Sequence, residues 1–119
     1  MNLGPKMPLA FALYVLVVIV ASLIPTGGLS LWHIDKIGHF LAYAGMAILA
    51  FLTFKSRVAR ILALLFAVAL GAALEWGQSF IPGRDMSLID EIANTLGVLC
   101  GALVFRLRGQ HLQQYLGRL

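Results

Sequence analysis

Residues 61–80 read ILALLFAVALGAALEWGQSF, an apolar run that ends with a glutamate, a tryptophan and a glutamine. A helix needs about 20 residues to cross a bilayer, and this run has that length. Three more apolar stretches share its character, at residues 8–24, 37–54 and 88–107. Because backbone groups in lipid must hydrogen-bond within the protein, unbroken runs of this kind are helical. The sequence therefore predicts an all-α membrane protein, a four-helix transmembrane bundle that fills residues 1–119 as one domain.

The composition supports the same class. Of the 119 residues, 61% are hydrophobic, and the mean hydropathy is +0.91, which leaves too little polar surface for a soluble globule. The single cysteine, Cys100, lies deep in the fourth stretch, so neither a disulfide framework nor a cysteine metal cluster is expected. The first apolar stretch is longer than the core of a usual signal peptide, and we interpret it as an uncleaved first helix.

The charged residues separate into two groups along the chain. All five acidic residues fall in the connections at residues 25–36 and 75–91: Asp35, Glu75, Asp85, Asp90 and Glu91. Seven of the nine basic residues fall on the opposite side: Lys6, Lys55, Arg57, Arg60, Arg106, Arg108 and Arg118. Lys and Arg stay cytoplasmic, which predicts an N-in/C-in protein of the bacterial cytoplasmic membrane with its acidic loops facing outward. Basic residues that flank spans do not indicate nucleic-acid binding.

Local signals predict where the helices begin and end. Pro25 ends the first helix, and Asp35 is expected to be the N-cap of the second. Ser87 and Asp90 have the spacing of a capping box, which starts the fourth helix. Residues 110–119 place their apolar side chains on one helical face, so this tail is expected to lie along the inner membrane surface.

Small residues predict where the helices touch. They form one stripe in the second helix and one in the fourth: Gly38, Ala42 and Gly45, and Ala93, Gly97 and Gly101. Close approach of backbones at such stripes is what associates helices in lipid. The same stripes could also join copies of the chain into a homo-oligomer.

The second and fourth helices begin with related sequences, DKIGHFLA at residues 35–42 and DEIANTLG at residues 90–97. This pattern predicts two tandem helical hairpins, a parallel internal repeat about an axis along the membrane normal. In each copy the aspartate and the polar residue four positions later share a face, which pairs Asp35 with His39 and Asp90 with Asn94. If the hairpins pack symmetrically, these faces meet at one outer site.

Glu75 and Gln78 break the symmetry, because the first helix has no polar counterpart for them. An ionisable group near the outer interface usually faces a partner or a watery cavity, so Glu75 is either functional or ion-paired with Arg84 or Lys36. His39 is an acid/base group, a ligand or an interhelical hydrogen-bonding residue. Asp35 and Asp90 also have structural roles as caps, and Asn94 could equally hold two helices together. The predicted ligand-binding set is Asp35, Lys36, His39, Tyr43, Glu75, Gln78, Arg84, Asp90 and Asn94.

No metal site or cofactor is predicted. One embedded histidine and scattered acids form no recognised ligand spacing, and the chain has no glycine-rich phosphate loop and no nucleophile elbow.

The sequence resembles the VanZ-like family of small bacterial membrane proteins. The resemblance lies in Asp35-Lys36, His39-Phe40 and Tyr43 of one helix, and in Glu75-x-x-Gln78, Pro82, Arg84, Asp90, Asn94 and Gly97 of the second hairpin. It implies a multi-pass membrane protein. The namesake members of the family lower susceptibility to the glycopeptide antibiotic teicoplanin, so the resemblance also implies a link to antibiotic resistance.

Several functions remain open at this point. The first is binding of an envelope lipid or a lipid-linked cell-wall precursor by its head group, with Arg84 and Lys36 holding anionic groups and the carboxylates holding amines or hydroxyls. The second is an enzyme, a transferase or hydrolase acting on a lipid-linked substrate, with Glu75 and His39 as an acid/base pair. A transporter is disfavoured by the apolar inner halves of the spans, and a scaffold protein is the remaining alternative.

Overall fold

The computed structural model of the protein describes residues 6–24, 32–82 and 87–118, without the side chains of residues 32–35. It contains four helices: α1 (Lys6–Leu23), α2 (Trp32–Thr53), α3 (Arg57–Gln78) and α4 (Leu88–Leu116). Each is long and apolar enough to cross a membrane, and no strand occurs in these ranges. The predicted all-α class with four spans is confirmed. The tandem-hairpin relation and the N-in/C-in orientation stay predictions.

Two helix ends differ from the sequence-based expectation. Helix α2 begins at Trp32, so Asp35 lies within its first turn, and the prediction that Asp35 is the N-cap is wrong. Helix α4 continues unbroken to Leu116, so the tail is not a separate surface helix. The 29 residues of α4 span about 43 Å at 1.5 Å per residue, which exceeds the roughly 30 Å hydrocarbon core. At least one end of α4 therefore extends beyond the apolar layer.

Serine hydroxyls cap the N-termini of α3 and α4. Ser56 accepts a hydrogen bond from the amide of Ala59 at 3.1 Å, and this bond starts α3 directly after α2 ends. Ser87 does the same for α4, accepting from the amide of Asp90 at 3.2 Å. Each bond satisfies a donor that has no intrahelical partner. The predicted start of α4 at Ser87 is confirmed.

Helices α2 and α4 approach each other most closely, and glycines of α4 make this possible. A Cβ atom at Gly97 would lie 3.1 Å from the carbonyl carbon of Phe40, and one at Gly101 would lie 2.9 Å from the Cα of Ala44. Such distances are shorter than ordinary contacts between carbon atoms, which are near 3.5–4.0 Å. The predicted role of the α4 stripe in helix packing is therefore confirmed.

The small residues of α2 pack differently from the expectation. Gly45 faces the ring of Tyr14 on α1, and the Tyr14 hydroxyl donates to the carbonyl oxygen of Ala42 at 2.6 Å. A Cβ atom at Gly38 would meet nothing within 4 Å. This stripe therefore receives α1, while α4 packs on a neighbouring face of α2. Hydropathy and residue size indicate that a face is close-packed, but not which helix covers it.

The core lies where α2, α3 and α4 meet. Its buried side chains are Tyr43, Met46, Ala47, Ala67 and Val98. Helix α1 contributes no buried residue and packs at the periphery, leaving large apolar side chains such as Leu9 and Val17 exposed. In a bilayer those side chains contact lipid, which is as apolar as the protein interior.

An arginine fixes the end of the bundle where α2 stops. Arg60 donates through Nε to the carbonyl oxygen of Phe54 at 2.7 Å and through Nη2 to that of Phe51 at 2.8 Å. Its guanidinium carbon lies 5.2 Å from the ring centroids of both Phe51 and Phe105. Arg60 thus satisfies carbonyl oxygens at the C-terminal end of α2, where a cation is favoured by the helix dipole.

Candidate functional site

Polar side chains from three helices converge at the end of the bundle opposite Arg60. His39 comes from α2, Glu75 from α3, and Asp90 and Asn94 from α4. The last three are buried, with exposed fractions of 4%, 5% and 1%. Buried polar groups in a membrane protein are costly unless they are partnered, so their contacts with one another determine what the site can do.

His39 is oriented by an asparagine. The Nδ1 atom of His39 lies 2.8 Å from Oδ1 of Asn94, and Nδ2 of Asn94 donates to Oε2 of Glu91 at 3.5 Å. This second bond directs the Asn94 oxygen toward the imidazole, so Nδ1 of His39 is the donor. The Nε2 atom then faces Oδ2 of Asp90 at 3.7 Å. The matched polar residues of the proposed repeat, His39 and Asn94, are in direct contact.

Glu75 joins the end of α3 to the beginning of α4. Its Oε2 atom accepts a hydrogen bond from the backbone amide of Ser87 at 3.0 Å, and its Oε1 atom lies 4.0 Å from Nδ1 of His39. In a capping box the amide of the N-cap residue is satisfied by the side chain three positions later, here Asp90. Glu75 takes over that bond, which leaves the Asp90 carboxylate available to other groups.

The carboxylate of Asp90 forms an ion pair with Lys36. The Lys36 ammonium is in direct contact with Oδ1 of Asp90, and both side chains are largely buried. A carboxylate without a counter-charge at this depth would cost several kcal/mol, and the attraction of the ammonium offsets part of that cost. Lys36 thus pairs with Asp90, and the alternative that it pairs with Glu75 is wrong.

Gln78 and Tyr43 lie beside this cluster. Gln78 is 2% exposed, and its Nε2 atom donates to the carbonyl oxygen of Ser22 at 2.9 Å, which ties α3 to the end of α1. Tyr43 lies one helical turn below His39 and is also 2% exposed. Both residues and His39 line a cavity of about 450 Å³, whose other wall is formed by α1.

We call it the outer cavity, after the orientation that the charge pattern predicts, and its lining is amphipathic. Its lining residues are Tyr14, Val17, Val18, Ala21, Ser22, Gly38, His39, Ala42, Tyr43 and Gln78. Helices α2 and α3 contribute the polar residues His39, Tyr43 and Gln78, and α1 contributes Val17, Val18 and Ala21 together with Tyr14 and Ser22. The lining therefore suits a ligand with a polar end and an apolar end.

Two predicted residues are not located by the structure. Arg84 lies outside the described residues, and so does the side chain of Asp35, whose backbone is part of α2. Sequence reasoning missed one residue of the site: the carboxylate of Glu91 is half-buried and accepts from Asn94 and Thr95 at 3.5 Å each. The spacings of three and four residues on one helix were the available signal.

His39, Glu75 and Asp90 also have the geometry of a possible cation site. Each offers one ligand atom, and these atoms lie within 4.8 Å of one another. The three residues come from three helices, so no spacing along the chain reveals the group. The Lys36 ammonium already supplies a positive charge to Asp90, which lowers the attraction for a metal ion. The prediction that no metal binds stays a prediction.

Chemically, the cluster combines two carboxylates, an imidazole and an ammonium in a space shielded from water. Carboxylates accept hydrogen bonds from hydroxyl and ammonium groups, and an imidazole can donate, accept or transfer a proton. The cluster can therefore bind a polar head group, or move a proton on a bound substrate.

The comparisons with known proteins address the family. The family model described as VanZ/LLP1 matches residues 2–109. Neither the search of curated proteins nor the search of solved structures gave a match. The match covers all four helices up to Gly109 of α4, including every described residue of the converging cluster. With its four apolar helices and this match over most of its length, the chain is a multi-pass membrane protein that belongs to the VanZ/LLP1 family.

Proposed function

We propose that this protein binds the head group of an envelope lipid or of a lipid-linked cell-wall precursor at the outer cavity. The observation that carries the proposal is the position of His39. Its imidazole lines the outer cavity and at the same time lies against the buried carboxylates of Glu75 and Asp90. A head group that reaches His39 therefore meets a charged cluster, while its attached chain meets the apolar side chains of α1.

The charges favour particular head groups. Glu75, Asp90 and Glu91 supply carboxylates near His39, and Lys36 supplies one ammonium. Sugar hydroxyls and amines are the natural partners of carboxylates in a site with little water. Lys36, and Arg84 on the sequence argument alone, would hold a phosphate. A glycosylated or amine-bearing lipid phosphate combines both kinds of group.

Thermal unfolding in neutral detergent tests the proposal. An undecaprenyl-pyrophosphate-linked cell-wall precursor should raise the unfolding temperature saturably, and phosphatidylcholine should not. Glu75→Gln and Arg84→Ala should weaken binding about 10-fold or more, since a hydrogen bond to a charged group is worth about 1.5–3 kcal/mol. A lack of saturable binding, or binding unchanged in both variants, would contradict the proposal.

A matched pair of histidine variants separates the site from general effects. His39→Asn removes the imidazole of the outer cavity, while His111→Asn makes the same change at an exposed position near the end of α4. We expect binding to fall only in His39→Asn. Equal affinities in the two variants would show that the imidazole does not take part.

Catalysis is the second candidate, and the distances around His39 favour it over a scaffold. One carboxylate lies 4.0 Å from Nδ1 and another lies 3.7 Å from Nε2, so both ring nitrogens have an acid within reach of a small movement. Glu75 and His39 would be the acid/base pair of a transferase or hydrolase that acts on a lipid-linked substrate. Product should then accumulate at catalytic amounts of protein and disappear in Glu75→Gln, whereas a binding protein gives no turnover.

The cellular setting belongs to the same proposal. The charge pattern supports a bacterial cytoplasmic membrane with the His39 end outward. The family membership supports a link to teicoplanin susceptibility. Expression in a susceptible host should raise the inhibitory concentration of teicoplanin, and Glu75→Gln at equal membrane abundance should not.

A further inference from the structure

The end of the bundle that carries Arg60 holds another cavity, which we call the basic cavity. Its volume is about 760 Å³, and sites for small ligands commonly measure about 300–1,000 Å³. The end of α2, the start of α3 and the last turns of α4 form it. Its lining residues are Phe51, Lys55, Arg57, Arg60, Ile61, Leu64, Ala102, Leu103, Phe105, Arg106, Gly109, Gln110 and Gln113.

The charge of the basic cavity is of one sign. Lys55, Arg57, Arg60 and Arg106 line it, and no carboxylate occurs among the described residues of its lining. Basic residues beside a membrane span commonly serve only to set the orientation of the protein in the membrane. Any position near the end of the span suffices for that role. Arg108 is such a residue, being exposed and outside the lining. Cations from three segments around one cavity attract an anion more strongly than one isolated cation does.

One cation of the basic cavity is held in place. Arg60 is fixed by its hydrogen bonds to Phe51 and Phe54 and by the rings of Phe51 and Phe105. A guanidinium that is already ordered loses little side-chain entropy when an anion binds. Gln110 and Gln113 add carboxamides, which can donate to phosphate or glycerol oxygens.

The remaining wall of the cavity is apolar and continues onto the lipid-facing surface. Ile61 and Leu103 line the cavity and are about half exposed, at 48% and 55%. Leu64, one turn after Ile61 on α3, also lines the cavity. An acyl chain in the bilayer can lie along these side chains while its head group remains among the cations.

We propose that the basic cavity binds one anionic phospholipid, with the phosphate between Arg57, Arg60 and Arg106 and an acyl chain along Ile61 and Leu103. The site is separate from the outer cavity, which lies at the other end of the helices and is lined by different residues. Its occupant joins the start of α3 to the last turns of α4 through their cations. The bound lipid therefore stabilises that end of the bundle.

Native mass spectrometry and thermal unfolding of the detergent-purified protein test this inference. Phosphatidylglycerol should remain bound after dilution and raise the unfolding temperature, and phosphatidylcholine and inorganic phosphate should do neither. The double variant Arg57→Gln/Arg106→Gln should bind phosphatidylglycerol about 30-fold more weakly, the factor that corresponds to about 1 kcal/mol for each lost cation. Arg60 stays unchanged, because it also supports the fold.

The double variant Arg108→Gln/Arg118→Gln is the matched control. It removes the same net charge from exposed positions near the same end of α4, outside the cavity lining. We expect its affinity for phosphatidylglycerol to equal that of the unaltered protein. An equal loss in both double variants, equal retention of phosphatidylcholine, or stabilisation by inorganic phosphate alone would overturn the inference.

Discussion

The contact between α2 and α4 predicts opposite effects of the same substitution at two glycines. At Gly38 a Cβ atom would meet nothing within 4 Å, whereas at Gly97 it would lie 3.1 Å from the carbonyl carbon of Phe40 and 3.2 Å from the amide nitrogen of Ala44. Carbon atoms pack best near 3.5–4.0 Å, so Gly97→Ala requires the helices to separate by about 0.4–0.9 Å. Gly38→Ala requires no movement.

The size of the effect follows from that separation. Gaps of about 0.5–1 Å forfeit a quarter to a half of the dispersion energy of the contacts involved. Inserting a methyl group into a packed interface typically costs about 1–3 kcal/mol. Gly38→Ala should instead leave stability unchanged or raise it by up to about 1 kcal/mol, because alanine loses less backbone entropy in a helix.

The same movement should disturb the site. Asn94 lies one turn before Gly97, and its Oδ1 atom is 2.8 Å from Nδ1 of His39. Separating the helices by about 0.4–0.9 Å would lengthen this hydrogen bond to about 3.2–3.7 Å, from the long end of the useful range to beyond it. Gly97→Ala should therefore reduce both stability and any binding that depends on His39.

Unfolding in mixed micelles measures the difference. The two variants are titrated with sodium dodecyl sulfate in dodecyl maltoside, and helicity is followed by circular dichroism. We expect Gly97→Ala to unfold at a lower detergent fraction than the unaltered protein and Gly38→Ala to unfold at an equal or higher one. Equal stability of the two variants would refute the assignment of Gly97 to the closest approach of α2 and α4.

Three further predictions concern single contacts. Arg60→Ala should lower the free energy of unfolding by about 2–4 kcal/mol, because it removes two charge-assisted hydrogen bonds to the end of α2. Arg108→Ala, the control, should change it by less than about 0.5 kcal/mol in the same titration. Tyr14→Phe should cost about 1 kcal/mol by removing the 2.6 Å bond to the α2 backbone, and Tyr115→Phe, at an exposed position, should cost nothing measurable. Glu75→Ala should lower the free energy of unfolding by about 1–3 kcal/mol, because it removes the acceptor of the Ser87 amide. Glu75→Gln should lower it by less, because its carboxamide oxygen still accepts. Equal losses in the two variants would contradict the bond assigned to Glu75.

The number of helices was predictable from the sequence, because apolar runs of span length have only one stable conformation in lipid. The start of α4 at Ser87 was predictable for a local reason, since a hydroxyl three residues before an amide can cap it. The beginning of α2 was not predictable in this way. Asp35 is a residue type that often caps helices, but α2 begins three residues before it. The residue type shows that Asp35 is able to cap a helix, but it does not show at which residue the helix begins.

The convergence of His39, Glu75, Asp90 and Asn94 was predictable, but their pairing was not. Polar residues near the His39 end of α2, α3 and α4 must avoid lipid, which directs Glu75, Asp90 and Asn94 into the bundle. Which of them meets Lys36 depends on how each helix is rotated about its axis, and hydropathy does not encode that rotation. The bond from Glu75 to the backbone of Ser87 was likewise unpredictable, because it joins a side chain to a main-chain group of another helix.

The double use of Glu75 has a consequence for experiments. One oxygen of its carboxylate accepts from the amide of Ser87, the N-cap of α4, and the other faces His39. A guest molecule that draws this carboxylate toward itself changes the environment of the Ser87 amide proton, although that proton never touches the guest. The nuclear magnetic resonance signal of this single amide is thus a built-in reporter of occupancy, readable without any label on the ligand.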